Sequence, residues 1–306
     1  MSAGKRKQRG VALLIALLIL AFGASLSSAM LWERNLATNR SALLLAQSQA
    51  RQYDLGAEAW AQQILRRSAN KNDTLNSTWA QQLPPLPVQG GALQGGIQDL
   101  EGRFNLNNLI GSNGKLDKVA FAALQRLLST LQIPPQIANA IADWEDPDDD
   151  VRSPGGAESG YYASKDPIYA PADAPFVSVG TLRLVRGITP EIYARLSPFV
   201  CALPVPTPIN INTAPAPVLA AVTPGISLER AKELVTMRGK DGYASVQAFE
   251  QIANRKIQFP LTLKSSFFLL AVTTSIGNTR LSLYSVIYRD TQGETRPIER
   301  SLTPIE

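Results

Sequence analysis

Hydrophobic and polar residues alternate differently in three stretches of this chain. From Gly10 to Trp32 no side chain is charged, and Val11 to Ala21 is almost wholly aliphatic. About twenty apolar residues, rising ~1.5 Å each, span a bilayer core of roughly 30 Å. The pattern then becomes amphipathic without a break. Leu36, Leu43, Leu44, Ala50, Leu55, Ala59, Trp60 and Ile64 recur at helical spacing as far as Arg67, with Gly56 as a local weak point. One long helix is expected over 11–67, half in a membrane and half packed on a soluble domain. At the other end, 266–276, 279–290 and 296–302 are rich in Val, Ile, Thr, Phe and Tyr with partial alternation. They predict three β-strands, turning at Gly277-Asn278 and Gln292-Gly293.

The middle of the chain reads as mostly helical. Residues 70–91 break the first helix, and the Pro- and Gly-rich part of that segment predicts a loop or edge strand. Residues 96–109 predict a short strand or hairpin. Two amphipathic helices follow within 115–143, split at Ile133-Pro134-Pro135, and at least one more lies in 176–200, with a tight join at Gly187-Ile188-Thr189-Pro190. After the Pro-rich linker 203–208 comes a second helical stretch that echoes the first. Phe104-Asn-Leu-Asn-Asn-Leu109 parallels Ile209-Asn-Ile-Asn-Thr213, as a duplicated helical hairpin would.

Composition narrows the chemistry. The chain has 306 residues, 45% hydrophobic and 18% charged, enough for one to three domains with real cores. The absence of histidine excludes His-dependent triads, His general bases and His-ligated zinc. Cys201 is the single cysteine, so no intramolecular disulfide forms, and its apolar surroundings suit a buried structural thiol. The formal net charge is +5, and Lys5, Arg6, Lys7 and Arg9 lie directly before the apolar run. Such a cluster stays cytoplasmic and sends the rest of the chain outward.

Asp143-Trp-Glu-Asp-Pro-Asp-Asp-Asp150 is the densest polar feature, followed by Gly155-Gly-Ala-Glu158. So many carboxylates repel one another unless a cation neutralises them, and hard oxygen ligands suit Ca²⁺. Asp146, Asp148 and Asp150 have the spacing that begins an EF-hand, but Val151 stands where its glycine belongs and Ala157 where its final glutamate belongs. A solvated acidic loop capping a helix is the alternative reading. Asp99 and Glu101 imitate a catalytic carboxylate pair, but nothing marks their separation, and no enzymatic activity is expected. Trp60, Trp79, Trp144, Tyr161, Tyr162 and Tyr169 read as core or loop anchors.

The join Lys-Arg-Lys-Gln-Arg-Gly10/Val11-Ala-Leu-Leu resembles a type IV prepilin leader. The resemblance implies that a prepilin peptidase cuts after Gly10 and methylates Val11, leaving the apolar helix in the mature protein. An ordinary secretory signal, cut near Ser27-Ser28-Ala29, is the alternative. In the pilin superfamily the fifth residue after the cut is normally a glutamate that pairs with a neighbouring subunit; here it is Ile15. A subunit without that carboxylate suits the end of a filament. The large chain with this feature resembles the K-type minor pseudopilins of type II secretion.

That resemblance implies an α+β fold: a long transmembrane helix on a carboxyl-terminal antiparallel sheet, with a large, mostly helical inserted domain. The expected divisions are 1–10 leader, 11–67 helix, 68–103 start of the pilin-like domain, 104–262 insert in two halves, and 263–306 closing strands. It implies a single-pass inner-membrane protein with its body in the periplasm, non-enzymatic, at the tip of a pseudopilus that supports export of folded proteins. I-type and J-type minor pseudopilins are the expected neighbours, with the major pseudopilin below. Structural calcium is implied on Asp143, Asp146, Asp148 and Glu158, with Asp150 added from spacing; Ser159 stands where the family has a further acid.

The second half of the insert also resembles a helix-hairpin-helix, with Gly225-Ile226-Ser227 at the hairpin and Lys232, Arg238 and Lys240 as candidate phosphate contacts. Loss of the second glycine of that motif restricts close backbone approach. A packing motif is therefore favoured and no nucleic-acid partner is expected; periplasmic DNA binding is the alternative function. The mass of the mature amino terminus separates the readings: a methylated Val11 is expected, and a chain beginning after Ala29 contradicts it.

Overall fold

The computed structural model describes residues 5–82 and 84–305, with side chains from Val11 onward. Residues 1–4 of the leader, and the basic side chains at 5–9, lie outside what it describes. Helix α1 (Lys5–Ser68) is continuous. Its apolar part reaches a mean hydropathy of 2.4 with none of that window buried. The helix is long and apolar enough to cross a membrane, and it stays exposed on every side from Val11 to Leu45. From Ala50 it buries one face, made by Ala50, Asp54, Glu58, Ala61 and Leu65 at three- and four-residue spacing.

This face follows the expected apolar stripe only in part: Ala50 is buried and Leu55 and Ile64 pack beside it. Ala59 and Trp60 are exposed, and two acids point inward instead. The sheet opposite supplies their partners. Thr274 donates to Asp54 at 2.6 Å, Ser285 donates to Glu58 at 2.7 Å, and Arg300 donates to both Glu58 oxygens at 2.8 and 2.7 Å. The Arg300 and Ser285 contacts hold Glu58 below its ordinary pKa despite burial, whereas burial raises Asp54.

Two strands follow, β1 (Leu86–Val88) and β2 (Gly91–Asp99). The chain then leaves the sheet for the insert. Its first half runs β3 (Phe104–Asn105), α2 (Lys118–Thr130), α3 (Ile137–Glu145), α4 (Ser159–Tyr162), α5 (Pro190–Leu196) and β4 (Val200–Cys201). The second half runs β5 (Ile209–Asn210), α6 (Ala216–Val222), α7 (Leu228–Met237), α8 (Val246–Ala253) and β6 (Leu261–Thr262). The chain returns as β7 (Phe267–Ile276), β8 (Thr279–Arg289) and β9 (Thr295–Ser301). The main sheet is antiparallel in the order β1-β2-β7-β8-β9, so the insert separates two hydrogen-bonded neighbours, β2 and β7. Gly277, at φ +53°, takes the first place of the two-residue β7–β8 turn, where a side chain would be strained.

The halves of the insert repeat one construction. Each is closed by a parallel strand pair, β3 with β4 and β5 with β6. In the first, Asn107 accepts from Phe176 N at 2.7 Å and donates to Phe176 O at 2.9 Å. In the second, Asn212 accepts from Tyr243 N at 2.7 Å and donates to Tyr243 O at 3.4 Å. Asn105 and Asn210 accept the amide two residues on in the same way. One core runs through both halves, from Phe104 to Phe259. They form one packed unit.

The insert is fastened to the sheet by buried polar groups. Asp99, at the end of β2, accepts from Thr213 at 2.5 Å, Ser265 at 2.7 Å, Asn210 at 3.1 Å and the Glu101 amide at 2.8 Å. Arg289, on β8, is ion-paired with Asp73 and donates to Leu65 O and Ser265 O at 3.1 and 2.7 Å. Asp73 also accepts from Trp79 Nε1 at 3.0 Å and Ser265 N at 2.9 Å. Asp99 and Glu101 are therefore structural ties. Cys201 is buried against Leu100 O at 3.3 Å, as a structural thiol.

Burial pushes Asp99 up to about 6 despite its four donors. It pushes Glu101 up to about 8, and the charge of Asp99 adds to the shift. A carboxyl whose folded pKa is raised contributes stability at low pH and loses it as pH rises through the folded value. For Glu101 that window runs from its ordinary 4.5 to about 8. Melting temperature is expected to fall across this window, with a shallower fall in Glu101→Gln; an identical slope in the variant contradicts the assignment.

Candidate metal centre

Helix α3 is buried along its whole length and ends at Glu145. The carbonyl end of a helix is its negative end, so acids placed there call for a positive partner. Asp143 lies in the last turn and Asp146 caps the helix. The loop that follows brings back Glu158, which precedes α4. Asp143 and Asp146 have no exposed surface and Glu158 has 2%.

One oxygen from each of these three side chains lies within 4.8 Å of the others. Oxygens at ~2.4 Å from one calcium ion stand at most about 4.8 Å apart, so this spacing suits a single ion. Asp146 Oδ1 and both Glu158 oxygens are buried without a hydrogen-bond partner. Burial, followed by the charges of Asp143 and Asp146, pushes Glu158 up to about 8. Glu145, with Oε2 also unpartnered, is pushed to about 8 by burial and by Asp146. Orphaned buried carboxylate oxygens are costly, and a hard divalent cation is the group that removes the cost. The donor set fits calcium.

The loop is ordered around Asp143. Its Oδ2 accepts from Arg152 N at 3.1 Å and Ala157 N at 2.8 Å, and its Oδ1 accepts from Arg152 Nη1 at 2.7 Å. The same guanidinium is ion-paired with Asp146. Gly156 donates to Arg152 O at 2.8 Å. A Cβ on Gly156 would overlap Asp143 Oδ2 and the Arg152 carbonyl, so only glycine fits there. Beneath the loop, Trp144, Tyr162 and Tyr169 pack ring on ring, and Arg186 donates to Gly156 O at 2.9 Å while lying over Tyr161. These aromatic residues anchor the loop.

Of the five expected ligands, Asp143, Asp146 and Glu158 come together. Asp148 and Asp150 lie on the exposed side of the loop, with Asp148 accepting from Asp150 N at 2.9 Å. Sequence reasoning overlooked Arg152, although one cation inside a run of acids was a usable signal. It also overlooked Glu145, whose unpartnered oxygen only the fold reveals.

The hairpin in the second half of the insert has other obligations. Arg238 is buried and donates to Ile211 O and Ala214 O at 3.1 and 2.8 Å. Lys232 is paired with Glu229 at 2.8 Å, and Arg255 reaches Gly225 O at 3.4 Å. Lys240 is exposed. Two of the three cations expected to meet phosphate are thus engaged within the protein, which favours packing over DNA binding.

Comparison with known proteins agrees with this architecture. Two family models, each described as type II secretion system (T2SS), protein K, match residues 102–205 and 209–257, dividing the insert where its two halves meet. The type II secretion system protein K of Pseudomonas aeruginosa is 33% identical over 318 residues, covering 97% of this chain and 94% of that one. The protein K of Aeromonas hydrophila is 34% identical over 310 residues, covering 93% and 94%. Among solved structures, a chain of the GspK-GspI-GspJ complex from the type 2 secretion system of enterotoxigenic Escherichia coli superposes with a TM-score of 0.77 at 24% identity. That match covers 87% of this chain and 99% of the other.

Proposed function

The chain belongs to the protein K family of the type II secretion system, the minor pseudopilins that its leader and missing glutamate resemble, and we propose that it ends a periplasmic pseudopilus. Ile15 carries this reading. A pilin helix buried among others in the membrane needs its carboxylate paired with a neighbour, because an unpaired charge in lipid costs several kcal/mol. With Ile15 in that place, this helix makes no such demand on one side, and the filament can stop there. The insert hung from one end of the sheet is suited to the same position, where nothing has to stack above it. The basic residues before α1 and the apolar helix support a single-pass protein with its body in the periplasm.

The solved complex that this fold resembles holds GspI and GspJ beside GspK, and on that ground the partners proposed are the I-type and J-type minor pseudopilins. The role is structural: the family is a component of a secretion machine, and the chain is read as supporting folded exoproteins through contacts rather than through chemistry. Co-expression with its own I- and J-type subunits should yield one co-purifying heteromer, with photoreactive residues placed along the exposed length of α1 cross-linking to those two subunits. A chain that purifies alone, or cross-links to the major pseudopilin on all sides, contradicts the tip assignment.

Calcium at the acidic loop is proposed to be structural, held by Asp143, Asp146 and Glu158. When bound, it would supply the positive charge that these three buried carboxylates lack in common. The full chain in detergent should melt several degrees lower in chelator than in calcium, and coincident melting curves rule the ion out.

A further inference from the structure

We propose that Arg152 is the resident counter-cation of the acidic centre, which a calcium ion must displace, so that the loop has two alternative closed states. The inference rests on the calcium reading given above and concerns how that same site is filled. Three buried carboxylates converge, and among the described residues one guanidinium enters the cluster, touching Asp143 and Asp146 through a single nitrogen, Nη1. It leaves Glu158 with no partner on either oxygen. One positive charge therefore offsets part of the cluster, where a divalent ion would offset more of it and also reach Glu158.

Arg152 is placed to leave. Its side chain is 23% exposed, whereas those of Asp143 and Asp146 are fully buried. The backbone of Arg152 is held independently of the guanidinium, by its amide on Asp143 and its carbonyl on Gly156. The side chain can swing out without unfastening the loop. Asp148, Asp149 and Asp150 lie exposed just before it in the chain and give the displaced cation acidic surroundings. If Arg152 were only a brace, its loss would loosen the site and weaken calcium binding. If it competes with calcium, its loss tightens binding. The two roles predict opposite signs.

The test uses the full-length chain in detergent micelles as wild type, Arg152→Gln and Arg152→Lys. Each is melted in EDTA and in calcium, and each is titrated with calcium after stripping. Arg152→Gln is expected to melt lower than wild type in EDTA by about 5 °C or more, because two buried carboxylates lose the guanidinium they share. It should equal wild type in saturating calcium, and bind calcium about tenfold more tightly. Arg152→Lys should fall between, since an ammonium keeps the charge without the planar fork. If the glutamine variant does not fold in EDTA, Arg152→Lys carries the test: calcium affinity above that of wild type supports the proposal, and affinity equal to or below it overturns it. Calcium affinity in Arg152→Gln equal to or weaker than wild type overturns it. Calcium binding to none of the three proteins instead overturns the calcium reading itself, and displacement with it.

Discussion

Everything that stands on the transmembrane helix depends on one buried ion pair. Arg289 and Asp73 face each other with side chains 3% and 0% exposed. The guanidinium lies over the Phe268 ring, 4.8 Å from its centre, and donates to the end of α1 and to the approach to β7. Asp73 carries the link onward, through Ser265 to Asp99 and through its carbonyl to Asn210 at the root of the second half of the insert. Breaking a buried pair of this kind costs about 3–5 kcal/mol, because the partner left behind is an uncompensated charge. Helix, sheet and insert meet at this point, and a hydrophobic contact would fill the space without fixing direction.

The consequence is a division of labour between the two faces of β7. Phe268, Leu270 and Val272 pack toward α1, with Trp79, Leu283 and Ile287. Phe267 and Leu269 pack on the other face with Leu100, Cys201 and Leu203, at the exits of β2 and of the first half of the insert. The sheet is thus the middle layer, buried on both sides where the insert leaves and returns. The acidic loop belongs to the first half, and its geometry relative to the sheet is carried by the single core that joins both halves.

Local signals in the sequence were enough for much of this. Alternation gave away β7, β8 and β9 to within a residue or two, and the uncharged run gave away the membrane part of α1. The echo between Phe104-Asn105 and Ile209-Asn210 pointed to a repeat that the Asn107 and Asn212 bonds make physical. Asp143, Asp146 and Glu158 were named by the resemblance to the K-type pseudopilins, whereas spacing alone pointed to Asp146, Asp148 and Asp150, of which only Asp146 enters the cluster. What stayed hidden was set by distance along the chain. The inward face of α1 carries Asp54 and Glu58 because Thr274 and Ser285 lie opposite, partners more than two hundred residues away. No periodicity reports such a pairing, and the expected apolar stripe holds at Ala50, Leu55 and Ile64 but fails at Ala59 and Trp60.

The Asp73–Arg289 pair, on this view, holds insert, sheet and helix as one body. Hydrogen exchange of the full chain with Arg289→Met, followed by peptide mass analysis, tests that most directly. Protection is expected to fall together in three separated segments: the loop around Asp73 and Trp79, the approach to β7 around Ser265, and the Asn210 turn of the insert. Loss of protection confined to β8 and β9, with the Asn210 turn unchanged, would show that the insert is fastened by other means and would contradict the claim.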